Sequence, residues 1–280
     1  MGYEKAGDII RDAHKNKYGV ISLNIFNYET VKFAADAAEQ TGKPVLVQLY
    51  PGFQDYISYE TTVEMTKQIA KKAKAPIGLH LDHCHDIEEL KCAMRAGFMS
   101  VMYDGSKLPF SENLKTTCEA ARAALDFGAD LEAELGSIGS AADVAAFTDS
   151  AKFTDPDDAR LFTGETGAFS LAVAVGNAHG NYAAVPNLDI PRIKKISEGS
   201  NIPLVLHGGS GIPDSQLQEA VKNGIAKINV ATEYFHAFYS AAAGYMGGEN
   251  SRKDIFSCMR AVKPEMIKFL ADKINLLNDK

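Results

Sequence analysis

GLHLDHCHD, Gly78 to Asp86, places three histidines, two aspartates and a cysteine within nine residues, directly after a run, PIGLHLD (76–82), that reads as a buried strand. Ligand-type side chains crowded at the end of one strand take on meaning if other strands end the same way. Short β-rich runs recur along the chain as GVISLN (19–24), PVLVQLY (44–50), PIGLHLD, FMSVMYD (98–104), ADLEAELG (129–136), AFSLAVAVG (168–176), IPLVLHGG (202–209) and IAKINVAT (225–232). Amphipathic helical stretches separate them, such as YETVKFAADAAEQTG (28–42), whose apolar positions recur at helical spacing and which Gly42 stops. Alternating units of this kind predict a parallel sheet with helical crossovers. Eight of them, with no Pro/Gly/Ser-rich linker, predict one (β/α)8 barrel over residues 1–280, with roughly 255–280 as an additional C-terminal helix. A doubly wound open sheet is the rival, and only the strand count separates the two.

In such a barrel, chemistry sits where the strands end, because the following loops converge on one pocket. Asp82 and His83 end the third run, Asp104 the fourth, Glu132 and Glu134 the fifth and His207 the seventh; His179 follows the sixth, Asn24 ends the first and Asn229 lies in the eighth. A lone histidine is more often a hydrogen-bonded structural residue than a ligand. Three from three strand ends can give a facial set of imidazoles with one position open, the usual arrangement of a catalytic zinc. Successive strand residues face opposite ways, so Asp82 and His83 share a face only if the strand breaks, and the break is expected at Asp82. His80 has the parity of Asp82 and reads as a supporting or packed residue, His85 as part of a helix-capping region with Asp86, and Cys84 as a buried thiol. HGGSGIPD (207–214) and NVATE (229–233) follow the last two strands, where barrels frequently bind phosphate. Gly208, Gly209 and Gly211 let backbone amides approach an anion, and Ser210 and Thr232 offer hydroxyls.

Composition narrows the partners. The formal charge of −7 argues against nucleic acid or an anionic membrane, both of which reward a basic face. The first twenty residues carry charges throughout and no apolar run, so no signal peptide or span is expected there. Four cysteines, widely spaced and without a CxxC pair, fit reduced thiols in a cytoplasm.

The segments LHLDHCHD, SVMYDGSKLPFSENL, LEAELGSIG, SLAVAVGNAHGNY, PLVLHGGSGIPD and KINVATE resemble, in order from about Ala6 to Lys273, the motif series of the class II, metal-dependent ketose-bisphosphate aldolases. The resemblance implies a zinc-dependent barrel, dimeric or tetrameric, that cleaves or forms a ketose 1,6-bisphosphate to or from dihydroxyacetone phosphate and glyceraldehyde 3-phosphate. It implies His83, His179 and His207 as ligands of Zn2+, for which Co or Fe can substitute, and Asp82 as the proton-transfer carboxylate. Asp104 and Glu134 match a second metal position. Gly180, Gly208, Gly209, Ser210, Asn229, Ala231 and Thr232 match the substrate-phosphate site, with Na+ or K+ bound beside it.

Departures from the family pattern bear on the substrate. After AELG the family carries a mobile loop whose glutamate exchanges a substrate proton; here the text is GSIGSAADVAAF, with Ala142 at the glutamate position and Asp143 one residue on as a replacement candidate. Tyr50 stands where the family often has a small hydroxyl residue, and Arg252 resembles a C-terminal arginine that contacts the distal phosphate. Two alternatives therefore stay open. One is the same aldol chemistry on a different phosphorylated ketose or keto-acid; the other is a sugar-phosphate-binding barrel without turnover, against which the retention of Asp82 argues.

Overall fold

The computed structural model describes residues 2–248 and 254–278. All eight runs are strands: β1 (Val20–Asn24), β2 (Val45–Leu49), β3 (Ile77–Cys84), β4 (Ser100–Tyr103), β5 (Asp130–Leu135), β6 (Ser170–Val173), β7 (Leu204–Leu206) and β8 (Ile225–Val230). They pair in sequence order, always parallel, and β8 pairs back onto β1, so the sheet is a closed barrel and the open-sheet alternative falls away. The helices are α1 (Ala6–Asn16), α2 (Tyr28–Thr41), α3 (Tyr59–Ala70), α4 (Ile87–Ala96), α5 (Phe110–Asp126), α6 (Val144–Thr148), α7 (Pro156–Thr166), α8 (Ile190–Ser200), α9 (Asp214–Lys222), α10 (Thr232–Gly247) and α11 (Ile255–Asn278). The last is the additional C-terminal helix expected from the sequence.

Local chemistry sets the boundaries. Asn27 and Thr30 form a reciprocal capping box at the start of α2, and Gly42 ends that helix in the left-handed conformation. Asp86 caps α4 through the Glu89 amide at 2.9 Å, so the end of the opening motif turns straight into a helix. The strands are almost wholly buried, their outer faces under the helices and their inner faces in the barrel, which is why they read as apolar runs. Helix α1 lies across one end of the barrel: Ala6, Ile9, Ile10 and Ala13 pack on Val20, Leu46 and Ala226, all near the starts of their strands. Full burial of Ile9 and Ile10 there is worth about 1.5–3 kcal/mol each. That end is plugged, and the C-terminal ends of the strands are left as the open face.

One expectation is corrected. The third strand does not break at Asp82; it continues to Cys84 through an irregularity, where the register against β4 jumps between Leu81 and Cys84. His83 sits in the bulge at φ 43°. A left-handed histidine costs about 1–3 kcal/mol and adds one residue to the strand, which resets the alternation. Asp82 and His83 can therefore both line the cavity at the open face.

Candidate active site

At the open end of the barrel a cavity of about 200 Å³ is lined by Asp82 and His83 from β3, His179 and Gly180 from the β6 loop, Gly208 and Ser210 after β7, and Asn229, Ala231 and Thr232 of β8 and its exit. Asn24 completes it on the β1 side, and Tyr50, Phe53 and Phe235 form an aromatic wall. Among the sequence-predicted residues, Gly209 stands behind this lining, where its amide donates to the Asn229 carbonyl at 3.0 Å and ties the β7 loop to β8. Arg252 lies outside the described residues.

Three imidazoles converge here. The His83 ring lies 4.6 Å from that of His207 and 4.9 Å from that of His179, centroid to centroid, and one ring nitrogen of each falls within 4.8 Å of the others. Nε2 of His179 and Nδ1 of His207 are buried without a hydrogen-bond partner, which is costly unless something else occupies them. Burial drives His179 down to about 4 and His207 well below its ordinary value, so both rings are neutral, the form that ligates metals. His83 behaves differently. Burial opposes its charge, but Asp82, Asp104 and Glu134 outweigh that and raise it to about 9. Its Nδ1 lies 3.0 Å from Asp104 Oδ2, and Asp104 is anchored in turn by the Ser106 amide and hydroxyl. Carboxylates thus surround two neutral imidazoles and favour positive charge on the third, so the site suits a cation. His83, Asp104 and Glu134 form a second cluster of donor atoms that can hold a metal ion, beside the triangle of histidines. Burial and the charge of Asp104 raise Glu134 to about 8. This donor set, with its unpartnered nitrogens, fits a divalent metal.

Asp82 is arranged to accept hydrogen bonds. Its Oδ2 takes them from Asn24 at 3.0 Å and Gln48 at 2.9 Å, and its Oδ1 from Asn229 at 3.2 Å. Burial alone would raise its pKa, but positive charge nearby, that of His83 foremost, and the Asn24 amide hold it below the ordinary value. Gln48, itself held by the Ser22 hydroxyl, is a member of this hydrogen-bonded set that the motifs did not point to. A glutamine inside an otherwise apolar strand run was the signal. Beneath the site, Lys227 of β8 pairs with both oxygens of Glu132 of β5.

The loops are joined to one another. The His179 amide donates to the Gly139 carbonyl at 2.9 Å, and the Ala141 amide to the His179 carbonyl at 2.8 Å, so the β5 loop is zipped to the β6 loop. The Tyr182 hydroxyl receives the Ala178 amide and donates to the Gly208 carbonyl. Gly208 is required by this closeness: at φ 62° it leaves only 1.9 Å between a would-be Cβ and the Ala178 carbonyl oxygen. Asp143 is placed outside the cavity lining. Its carboxylate caps α6 through the Ala145 amide at 3.1 Å. His80 lies inside the barrel with Nδ1 2.8 Å from the Ser100 hydroxyl, His85 Nδ1 lies 2.8 Å from the Asp104 carbonyl oxygen, and Cys84 is buried. Among the described residues, no helix is long and apolar enough to cross a membrane.

Comparison with known proteins agrees with this fold. The YdjI aldolase from Escherichia coli K12 superposes with a TM-score of 0.86 at 33% identity, covering 98% of this chain and 97% of that one. A structure from Coccidioides immitis is 27% identical, with a TM-score of 0.84 over 98% of this chain and 96% of that one. The fructose-bisphosphate aldolase from Campylobacter jejuni, at 23% identity, shares the fold with a TM-score of 0.82 over 99% of this chain and 95% of that one. The family model for class II fructose-bisphosphate aldolase matches residues 4–280. With a closed barrel, the motif series in order and a match over nearly its whole length, the chain belongs to the class II fructose-bisphosphate aldolases, which are carbon–carbon lyases.

Proposed function

We propose that the protein is a metal-dependent aldolase that cleaves a ketose 1,6-bisphosphate into dihydroxyacetone phosphate and glyceraldehyde 3-phosphate, and catalyses the reverse condensation. The observation that carries this is the meeting, at the open end of the barrel, of three imidazoles, two of them with buried unpartnered nitrogens, with a carboxylate whose hydrogen-bond partners are all donors. His83, His179 and His207 would hold the metal, with Asp104 and Glu134 beside it as a second position. A zinc ion there, or cobalt or iron, supplies Lewis-acid stabilisation of the negative charge that develops on the substrate carbonyl oxygen. Asp82 takes the proton from the C4 hydroxyl as the C3–C4 bond breaks and returns it during condensation.

The phosphate on C1 goes to the glycine loops. Ala231, at the N-cap of α10, supplies no side-chain cap, so the first amides of a 16-residue helix are open to an anion beside Gly180, Gly208, Ser210 and Thr232. The Ser210 hydroxyl accepts from the Ala231 amide at 3.3 Å and joins the two loops. Na+ or K+ is the proposed companion of that phosphate. The assembly is a homodimer or homotetramer, in keeping with exposed apolar side chains at Tyr28, Tyr239, Ile255 and Phe256.

A second reading is favoured by the aromatic wall. Tyr50 and Phe53 meet edge to face, Phe26 joins Phe53 to Phe235, and three of these rings line the cavity. A wall of this kind suits an aldehyde half that differs from glyceraldehyde 3-phosphate, with the chemistry at C3–C4 unchanged.

Both readings are tested by a panel of ketose 1,6-bisphosphates and 1-monophosphates, scored by release of dihydroxyacetone phosphate. Dipicolinate should abolish release and added zinc or cobalt should restore it; the favoured substrate decides between the readings. Undiminished activity in metal-free protein would overturn both.

A further inference from the structure

Inside the barrel, below the three imidazoles, lies a layer of ionisable side chains that the reaction does not touch. Glu132 is 1% exposed, Lys227 and His80 are fully buried, and so is His207 directly above them. The Lys227 ammonium donates to both carboxylate oxygens of Glu132, at 3.1 and 3.0 Å, and Oε1 of the same carboxylate lies 3.0 Å from His207 Nε2. An ionised carboxylate only accepts. The hydrogen in its contact with the imidazole therefore belongs to Nε2 of His207. A neutral imidazole carries one N–H, so Nδ1 is left with its lone pair. That atom has no hydrogen-bond partner and lies 3.4 Å from Glu134 Oε2, on the side of the metal-ligand cluster.

We infer that the buried Glu132–Lys227 ion pair is a positioning device for the metal site, fixing the tautomer and orientation of His207 so that Nδ1 is presented as the ligand. The inference rests on the metal-dependent reading above. Lys227 has two tasks in it. It supplies the countercharge without which a carboxylate cannot be kept in a dry interior, and it occupies the acceptor sites that His207 does not use. The third neighbour, His80, has Nδ1 committed to Ser100, and its Nε2 lies 3.7 Å from Glu132 Oε2 without a hydrogen bond.

The pairing makes an unusual demand on mutants. Glu132→Gln keeps the size of the side chain but leaves one acceptor oxygen and one donor NH2. Lys227 claims the oxygen, and the NH2 is turned to His207 Nε2, which must then accept. The ring hydrogen moves to Nδ1 and blocks the ligand position. Removing the lysine as well, in Glu132→Gln with Lys227→Met, frees the amide oxygen for His207 and lets the NH2 face the unpartnered Nε2 of His80. A double change in a buried core should thus repair what a single one damages, which a merely structural role would not produce.

Zinc affinity of the full-length metal-free proteins, measured by competition with a chelator, tests this. Glu132→Gln should weaken binding by about 10–100-fold, the usual effect of losing a partner behind a metal ligand. The double variant should recover at least half of that loss on a logarithmic scale. Wild-type affinity in the single variant, or no recovery in the double, overturns the inference. Should the single variant fail to fold, the nitrogen-15 spectrum of metal-free wild-type protein decides: protonated Nε2 and bare Nδ1 on His207 are expected, and the opposite tautomer overturns it. Wild-type protein that binds no zinc defeats the metal-dependent reading itself, whereas wild-type protein that binds zinc with the opposite tautomer defeats this inference alone.

Discussion

Asp82 receives three amide hydrogen bonds and gives none, so it is fixed in place as an acceptor and needs no rearrangement to take a hydroxyl proton. Asp82→Ala should lower the cleavage rate by about 10²-fold or more with zinc and phosphate-ligand binding retained, as steady-state kinetics beside metal titration would show. Equal losses of binding and rate would make the residue structural. At this scale the sequence told much about the mouth of the barrel and little about its interior. The run LHLDHCHD announced polar side chains at a strand end, because a strand covered on both faces has no ordinary use for them. Glu132 and Lys227 are charges inside apolar runs, and buried charges require partners. Which charge meets which was not legible, because the two are 95 residues apart and only ring closure brings them together. The bulge at His83 was equally hidden: no residue in LDHC is a glycine, and the left-handed conformation is imposed by the site.

The loop between β5 and α7 departs most from what the family resemblance implies. Asp143 was singled out as a replacement for the absent glutamate, yet its carboxylate caps the short helix α6 and stands outside the cavity lining. The two roles make opposite demands. Asparagine caps as well as aspartate does but cannot transfer a proton, whereas alanine does neither. In its observed place, Asp143→Asn should retain the solvent exchange of the dihydroxyacetone phosphate hydroxymethyl proton to within about twofold, while Asp143→Ala should cost about 1 kcal/mol of local stability, read as faster amide exchange over 144–148. Abolished proton exchange in Asp143→Asn would restore the catalytic role. Sequence comparison located this loop but not its tether, because the amide pairs of Gly139 and Ala141 with His179 leave no mark on side-chain identity.

Helix α11 runs along the barrel and fastens its exterior. It packs on α2 and α10, and the Gly19 amide at the entrance to β1 donates to the Leu277 carbonyl at 2.8 Å. Lys263 on α11 reaches Asp36 on α2 at 2.7 Å, with Lys32 on the same carboxylate. Burial works against the charge of Asp36, but hydrogen bonds from Lys263 and Lys32 outweigh it and hold the pKa below the ordinary 3.8. A depressed carboxylate stabilises the fold fully above its unfolded-state pKa, and that contribution is lost as pH falls through the folded-state value. Lys263→Met should therefore lower the melting temperature by a few degrees at most near pH 7, as expected for a partly exposed pair, and the difference should shrink on acidification toward pH 2. Unchanged melting at both values would show that the pair contributes nothing. The (β/α)8 plan itself was legible from eight spaced apolar runs, whereas strand ends were not: β6 stops at Val173, three residues inside the apolar run, where the next two amides donate to side chains, Ala174 to the Thr154 hydroxyl and Val175 to Asn177 Oδ1. Closure has a consequence in time. Val20 of β1 finds its partner Lys227 of β8 only after most of the chain is available, so the ring is completed by contacts between residues far apart in sequence. Its three histidines belong to the third, sixth and seventh βα units, so they come together only when those units have closed on one another. A metal ion held by all three, as proposed above, would meet its full ligand set only in a finished barrel, as a seal rather than a nucleus around which one condenses.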